Sequence, residues 1–522
     1  MSDNSNSKLL IDNIKWIYFA KIISQIIGII SSIYVIKSLN ISMYGSYNLA
    51  IGFFIIPQIF ILSSITSVIN RYIPEFIEQN NFQNVVKLIK NSLLISLIGI
   101  ILFFVGFDFC SNYFNLISKI PNIEKIKVYF YAFCLFYLYQ LIWDSILKSC
   151  LLQKKVSLII IINNLLRFIL YIIFYKKITL EILLSIEAVL ALVYSFQASY
   201  IFIKFIKIKK SIIKEETNNS NKKRVLKYGL LSLVNELGVG IIGKSSDIFI
   251  VAAFSSSVQI GLFSFSHKIY EFFYKILPFK DIQSIIRPLF IKKFGQEYDI
   301  EEFKKYYLLL VKILIPIYSF PFIFYFIFGK SIVYHFFSIE YLNSYYITCV
   351  ILFTTIPLAF FYPLSLFVQL KEKMEVLLYS KIIFVFSILL SIILIKYFGI
   401  IGVAIASLIG DLIKNLIIVF FMRDYKEIRL KWLDFKNFFY VNLLILPLFF
   451  FNSLHENLML FILYSIVFII YLFFLYIIFL PFNQKEIIIL KEITSKSKIL
   501  SRIFNLVLKL SKIKNETKNN FI

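Results

Sequence analysis

The 522-residue chain is 59% hydrophobic and 16% charged, with 59 Phe and 34 Tyr, against about 45–50% apolar and 25% charged in soluble domains; this excludes a soluble enzyme. Apolar runs long enough to cross a hydrocarbon core of ~30 Å recur from Ile14 to Phe482, so the chain reads as an all-α polytopic membrane protein. The 55 Lys and Arg against 30 Asp and Glu lie mostly in short segments between those runs, where an excess reads as membrane topology and not as a nucleic-acid surface.

The polar start, MSDNSNSKLLIDN, leads into a run longer than a signal-peptide core with no small-residue cleavage site, so the first helix is expected to stay as an anchor. Apolar length and polar punctuation predict helices near 14–37, 44–68, 92–114, 127–149, 156–175, 178–203, 228–254 and 258–279. Six more are predicted near 305–329, 341–369, 375–397, 400–421, 437–452 and 458–482, about fourteen in all. The connection from Lys204 to Lys227 holds nine basic residues against Glu215 and Glu216, and the segment from Lys485 to the end holds nine more; both fall on one face. The other face carries only Lys119, Lys125, Lys176, Lys177, Lys330 and Lys396, so both termini are expected in the cytoplasm.

Segments outside the predicted spans are too short for a catalytic domain, and the stretch from Lys280 to Lys304 has no DxD, HExxH, GxSxG or P-loop motif. Cys110, Cys134, Cys150 and Cys349 have neither CxxC spacing nor a His at ligand distance, so packing is their expected role and no metal or other cofactor is called for. In the tail, Ile499, Ile503, Leu506, Val507 and Leu510 share a helical face that Lys498, Arg502, Lys509 and Lys512 avoid; this is either an interfacial helix on anionic lipid or a solvated tail. Gly402, Ala406 and Gly410 recur every four residues, a stripe that lets helices touch closely in lipid, and Pro57, Pro316, Pro321, Pro357 and Pro363 fall inside spans as kinks.

A constant offset of 216 pairs Gly45 with Gly261, Ile69 with Ile285 and Arg71 with Arg287, in matching contexts that end at INRYIPEF and IIRPLFIKKF. Two related halves of six helices are implied, with lobes over 1–203 and 228–425, a basic linker over 204–227, two added helices over 437–482 and a basic amphipathic tail over 485–522. The stretches at 44–76, 246–273 (SDIFIVAAFSSSVQIGLFSFSHKIYEFF) and 396–410 (KYFGIIGVAIASLIG) resemble the polysaccharide-flippase branch of the multidrug/oligosaccharidyl-lipid/polysaccharide exporter superfamily, which includes the O-antigen and capsule flippases. The resemblance implies two pseudo-symmetric lobes around a cavity, alternating access, and transfer of undecaprenyl-pyrophosphate-linked oligosaccharide across the bacterial inner membrane by a monomer. It also implies membrane lipids as surroundings, a proton or sodium as coupling ion, and polysaccharide polymerase machinery as a partner. A lipid II flippase or a cation-coupled antiporter of the same superfamily stays open as an alternative, and a membrane glycosyltransferase or polymerase is the reading from another class.

Ionisable residues inside spans are candidates for a cavity or an ion path because mid-membrane charge is costly. Lys21 and Gln25 lie one turn apart on the first helix, where Lys21 either faces a cavity or snorkels to the surface. The stretch GLLSLVNELGVGIIGKSSD carries four glycines with Glu236, Lys244 and Asp247; it is read as a hinge with titratable groups, or with Lys244 and Asp247 as a structural pair. His267, Lys268 and Glu271 share a helix face as a possible proton-linked cluster, or as an ion pair beside a packed His. Arg71 and Arg287, equivalent in the repeat, have guanidinium forks that match phosphate, or else anchor the helix ends to lipid headgroups. The expected substrate-binding set is Lys21, Gln25, Arg71, Lys244, Lys268 and Arg287, and the ion-coupling set Glu236, Asp247, His267 and Glu271. Asp144 with Lys148 and Asp411 with Lys414 stand at pairing distance, while Arg167, Glu187, Lys312 and Lys381 have no local partner and are read mostly as interhelical pairs.

Overall fold

The structure, a computed structural model, describes residues 22–111, 120, 123–210, 222–240, 244–277, 300–370, 374–421 and 457–478. The helix expected at 437–452, the amphipathic tail, Lys21 and Arg287 lie outside these residues. The other thirteen expected spans are helical where described. In order they are α1 (Ile22–Ser38), α2 (Ile41–Glu78), α3 (Phe82–Ser111), α4 (Ile123–Ser149), α5 (Gln153–Phe174) and α6 (Leu180–Lys210). Then come α7 (Lys222–Gly240), α8 (Lys244–Phe254), α9 (Ser257–Ile276), α10 (Ile300–Phe336), α11 (Tyr345–Phe353), α12 (Thr355–Leu370), α13 (Met374–Phe398), α14 (Ile400–Phe421) and α15 (Leu458–Ile478). No strand occurs among the described residues, and eight of the helical segments are long and apolar enough to cross a membrane. The chain is therefore a polytopic helical membrane protein, and its lipid face is visible on α3, where Leu94, Ile98, Ile101, Leu102, Val105 and Phe109 stand exposed at helical spacing.

By internal contacts the chain divides into Met1–Phe265 and Ser266–Ile522. In the first unit α2 starts at Asn40, whose side-chain oxygen accepts from the Met43 amide at 2.7 Å and serves one of the donors a helix start leaves orphaned. Half-way along, α2 turns at Phe54 and passes through a π-turn over Gln58–Leu62. Pro57, which precedes that turn, has no N–H for the carbonyl one turn back, so the ladder loosens where the sequence placed a kink. Ring packing fills the space beside the break: Phe54 meets Phe133 and Tyr137, and Phe53 meets Phe107 and Phe249.

The repeat seen in the sequence reappears as a reciprocal crossing of α2 and α9. A Cβ on Gly45 would lie 2.2 Å from the Ser257 carbonyl oxygen and 2.7 Å from the Gly261 amide nitrogen. A Cβ on Gly261 would lie 2.2 Å from the carbonyl oxygen of Ile41. Each glycine therefore sits on the backbone four residues before its repeat equivalent, the relation a local two-fold axis produces. Only residues without a side chain let two helices touch in this way.

In the second unit α10, 37 residues long, carries Pro316 and Pro321 within it. Phe303, Tyr307, Val311, Leu314 and Tyr318 of α10 are buried with Ala359, Leu364 and Val368 of α12 and Ile418 of α14. Further along α10, Ile323, Ile327 and Phe328 pack against Phe461, Phe468, Leu472 and Leu475 of α15, so that helix is seated by one aromatic stripe while its other faces are exposed. Gly399, with φ at +60°, makes the tight turn from α13 to α14. The small-residue stripe then does what its spacing implies: Gly402 lies against the Leu394 backbone and Gly410 against Ser387, whose hydroxyl donates to the Ala406 carbonyl at 3.2 Å.

Candidate functional site

Of the residues singled out by sequence, Gln25 is half-buried on α1 and Arg71 stands exposed on α2 between buried Ile69 and Tyr72. Glu236 lies on α7 and Lys244 opens α8, with Asp247 half-buried one turn further along α8. On α9 the expected face forms: the Lys268 ammonium is 3.4 Å from Glu271, and Lys275, one turn beyond and not anticipated, is 3.8 Å from the same carboxylate. Lys268 also lies 6.0 Å from the centroid of the Phe272 ring, and His267 is half-buried beside it. A carboxylate shared by two ammonium groups keeps charge in an apolar helix without leaving it bare.

Two of the charges left without local partners, Arg167 and Glu187, find each other across helices. Arg167 of α5 donates to Glu187 of α6 at 2.9 Å and to the Asn164 side chain at 3.0 Å, and the Tyr171 hydroxyl donates to the other Glu187 oxygen at 2.6 Å. Tyr47 of α2 and Tyr137 of α4 also lie within electrostatic reach of this pair. Next to it, Asp144 of α4 is held by Lys148 at 2.6 Å and by the Tyr194 hydroxyl of α6 at 2.8 Å. In the second unit Lys414 lies 3.6 Å from Asp411 and 3.8 Å above the Phe361 ring, and the Asn415 amide donates to the Pro357 carbonyl at 3.1 Å. That last bond ties α14 to the proline segment of α12.

A seam between α2 and α7 was not visible in the sequence. The Arg224 guanidinium donates both terminal nitrogens to Glu75, at 3.1 and 3.4 Å, and lies 5.5 Å above the Tyr72 ring. The Tyr72 hydroxyl donates to the Arg224 carbonyl at 3.4 Å and its ring meets Tyr228 edge-on. Deeper in the seam the Ser64 hydroxyl donates to the Gly229 carbonyl at 2.8 Å, and a Cβ on Gly229 would press on Ser64 and Val68 at 3.2 Å. Glu75 and Arg224 are separated by 149 residues, and no helical spacing relates them. The local signals were an acid near the end of α2 and an arginine within a run of lysines. Asn70, beside Arg71, was also missed; its side-chain oxygen accepts from Ser145 and Ser149 of α4 at 2.9 and 3.0 Å.

Among the described residues no three His, Cys, Asp or Glu side chains gather as a metal-ligand set. What the geometry offers is cations held by carboxylates and rings inside apolar helices, with exposed guanidinium groups on α2 and α7. A family profile described as polysaccharide biosynthesis protein matches residues 10–277, just over half of the chain. The chain belongs to this polysaccharide biosynthesis protein family. The α2–α7 seam, the α2–α9 crossing and the Arg167 network all lie within the matched stretch. Among solved structures, a lipid II flippase MurJ in an inward-closed conformation superposes with a TM-score of 0.67 at 17% identity, covering 89% of this chain and 97% of that one. An inward-facing multidrug resistance MATE family transporter of the MOP superfamily gives 0.60 at 15% identity, covering 76% of this chain and 93% of its own. The outward-facing form of such a transporter gives 0.51 at 16% identity over 78% and 94%. At these identities the likeness is one of fold, a fold of membrane transporters and flippases. No curated protein sequence matches the chain.

Proposed function

We propose that this member of the polysaccharide biosynthesis family is a flippase that carries an undecaprenyl-pyrophosphate-linked oligosaccharide, such as a surface-polysaccharide or O-antigen repeat unit, across the bacterial inner membrane by alternating access. The observation that carries the reading is the reach of the fold. The flippase fold takes in 89% of the chain where the multidrug fold takes in 76%, and α15, seated on α10 through Phe461 and Phe468, lies beyond a twelve-helix core. A substrate with a long lipid tail and two phosphates calls for additional lipid-facing helix surface and for cations along its path; the exposed faces of α15 and the cations Arg71 and Lys268 support the reading. On this reading the basic connection around Lys204–Lys227 is cytoplasmic, as are both termini, and the protein moves its cargo without making or breaking a covalent bond.

Lys21, Gln25, Arg71, Lys244, Lys268 and Arg287 are proposed to meet the pyrophosphate or acidic sugars, and Glu236, Asp247, His267 and Glu271 to take part in coupling to a proton or sodium. The test is flipping by purified protein in proteoliposomes, comparing wild type with Lys21→Ala, Lys244→Ala and Arg287→Ala. Loss of flipping in variants that keep wild-type thermal stability supports the assignment; wild-type rates in all three refute it. A lipid II flippase or a cation-coupled antiporter is the second reading, favoured by the folds of MurJ and of the multidrug transporters themselves.

A further inference from the structure

We infer that the Glu75–Arg224 pair is a latch on the α2–α7 seam, and that a pyrophosphate-class anion opens it by taking the Arg224 fork from Glu75. The inference rests on the flippase reading for its natural anion, and on geometry for everything else. A guanidinium that grips a carboxylate with two parallel N–H bonds presents the same fork to two phosphate oxygens, so Glu75 occupies the place a phosphate would take. The pair is open to exchange, since the Arg224 side chain is 54% exposed and that of Glu75 24%. Ion pairs this exposed are weak enough for a multiply charged anion to displace one partner. The surroundings favour an incoming anion. Arg71 stands exposed one turn before Glu75 on α2, and Lys222, Lys223 and Lys227 flank Arg224 in sequence, with Glu78 as the other nearby acid on α2.

The rest of the seam makes the pair the part that yields first. Below it the Ser64–Gly229 hydrogen bond and the tight seat of Gly229 against Val68 close the seam from within, out of reach of a soluble anion. The end of α2 that carries Glu75 is joined through the π-turn at Gln58–Leu62 to the end pinned at Gly45, so Ser63–Glu78 has a built-in place to swing from. The repeat does not duplicate the device: the offset of 216 maps Glu75 onto Ile291 and Arg224 onto Lys8, which cannot pair. The latch therefore belongs to one junction of the pseudo-symmetric chain and gives its two halves unequal roles.

The test uses full-length protein in nanodiscs with Val68→Cys as reporter, its labelling by a membrane-impermeant maleimide read by mass spectrometry at that position. Glu75→Gln and Arg224→Gln are each expected to raise the labelling rate roughly two- to fivefold, the range an exposed ion pair confers. The double variant is expected to match the singles, because one interaction can be lost only once. Inorganic pyrophosphate is expected to raise wild-type labelling above a sodium chloride control of equal ionic strength, which separates displacement from screening, and to leave Arg224→Gln unchanged. Unchanged labelling in both single variants, or additive effects in the double, overturns the latch. Equal responses to pyrophosphate and chloride overturn displacement by the anion. Labelling does not require transport, so a chain that flips nothing still shows whether the seam opens, and failure of the flippase reading appears separately in the flipping assay.

Discussion

Gly45→Ala and Gly261→Ala test the α2–α9 crossing. The added methyl on Gly45 would sit 2.2 Å from the Ser257 carbonyl oxygen, and that on Gly261 2.2 Å from the Ile41 carbonyl oxygen. A carbon meets a carbonyl oxygen comfortably at about 3.3–3.6 Å, so the helices must part by roughly 1 Å. Both obstacles are backbone, which no rotamer change can move. Overpacking of this kind costs about 1–3 kcal/mol, with a backbone clash at the upper end, and alanine regains about 1 kcal/mol of helix propensity over glycine. The net loss is about 2 kcal/mol. For a unit of this size that lowers the melting temperature by roughly 4–8 °C. Thermal unfolding of the purified protein in one detergent, followed by intrinsic fluorescence, reads the shift. Gly106→Ala, whose methyl would meet nothing within 4 Å, serves as the control and should hold or gain stability. The double variant should lose less than the sum of the singles, since one parting of the helices relieves both clashes. If both variants melt with the control, the backbone contact is not there and the reciprocal crossing fails with it.

Arg167→Leu should destabilise the first unit by about 3–5 kcal/mol because it strands Glu187 in an apolar bundle, while Arg167→Met with Glu187→Leu should cost much less; thermal unfolding of the two side by side decides it. Gly399→Ala meets no neighbour and has only the left-handed backbone to resist it, so it should lose about 1–2 kcal/mol through conformation alone, again read by melting. A chain trimmed near Arg423 loses α15 and bares Ile323, Ile327 and Phe328 of α10, and should fall in both melting temperature and flipping rate; full flipping would remove the argument from the additional helices.

How much of this was legible follows the range of the interactions. Helix class and the place of the described helices were legible because lipid demands long apolar runs, and the spacing of Gly402, Ala406 and Gly410 named a packing face because helical period alone fixes which residues share it. The repeat was legible because Gly45 and Gly261 have equivalent neighbours, although that they touch each other is a fact of the fold. Pairs within one helix, Lys268 with Glu271 and Asp144 with Lys148, could be read from i, i+3 and i, i+4 spacing. Pairs across helices could not. Arg167 was recognisable as a charge in need of a partner, and only the packing of α5 on α6 identifies Glu187. Glu75 and Arg224 sit at helix ends where charge is ordinary, so nothing local marked them before α7 was laid along α2.

The most direct measurement is translocation by the wild-type protein alone in proteoliposomes, with undecaprenyl-pyrophosphate oligosaccharide probed by an externally added sugar-modifying enzyme, beside vesicles of the same protein loaded for cation-driven drug efflux. The flippase reading expects the lipid-linked sugar to become accessible at a rate that scales with protein, with no drug movement above empty vesicles. Drug efflux driven by a sodium or proton gradient, with the lipid-linked sugar no more accessible than in empty vesicles, would contradict it and place the protein with the antiporters.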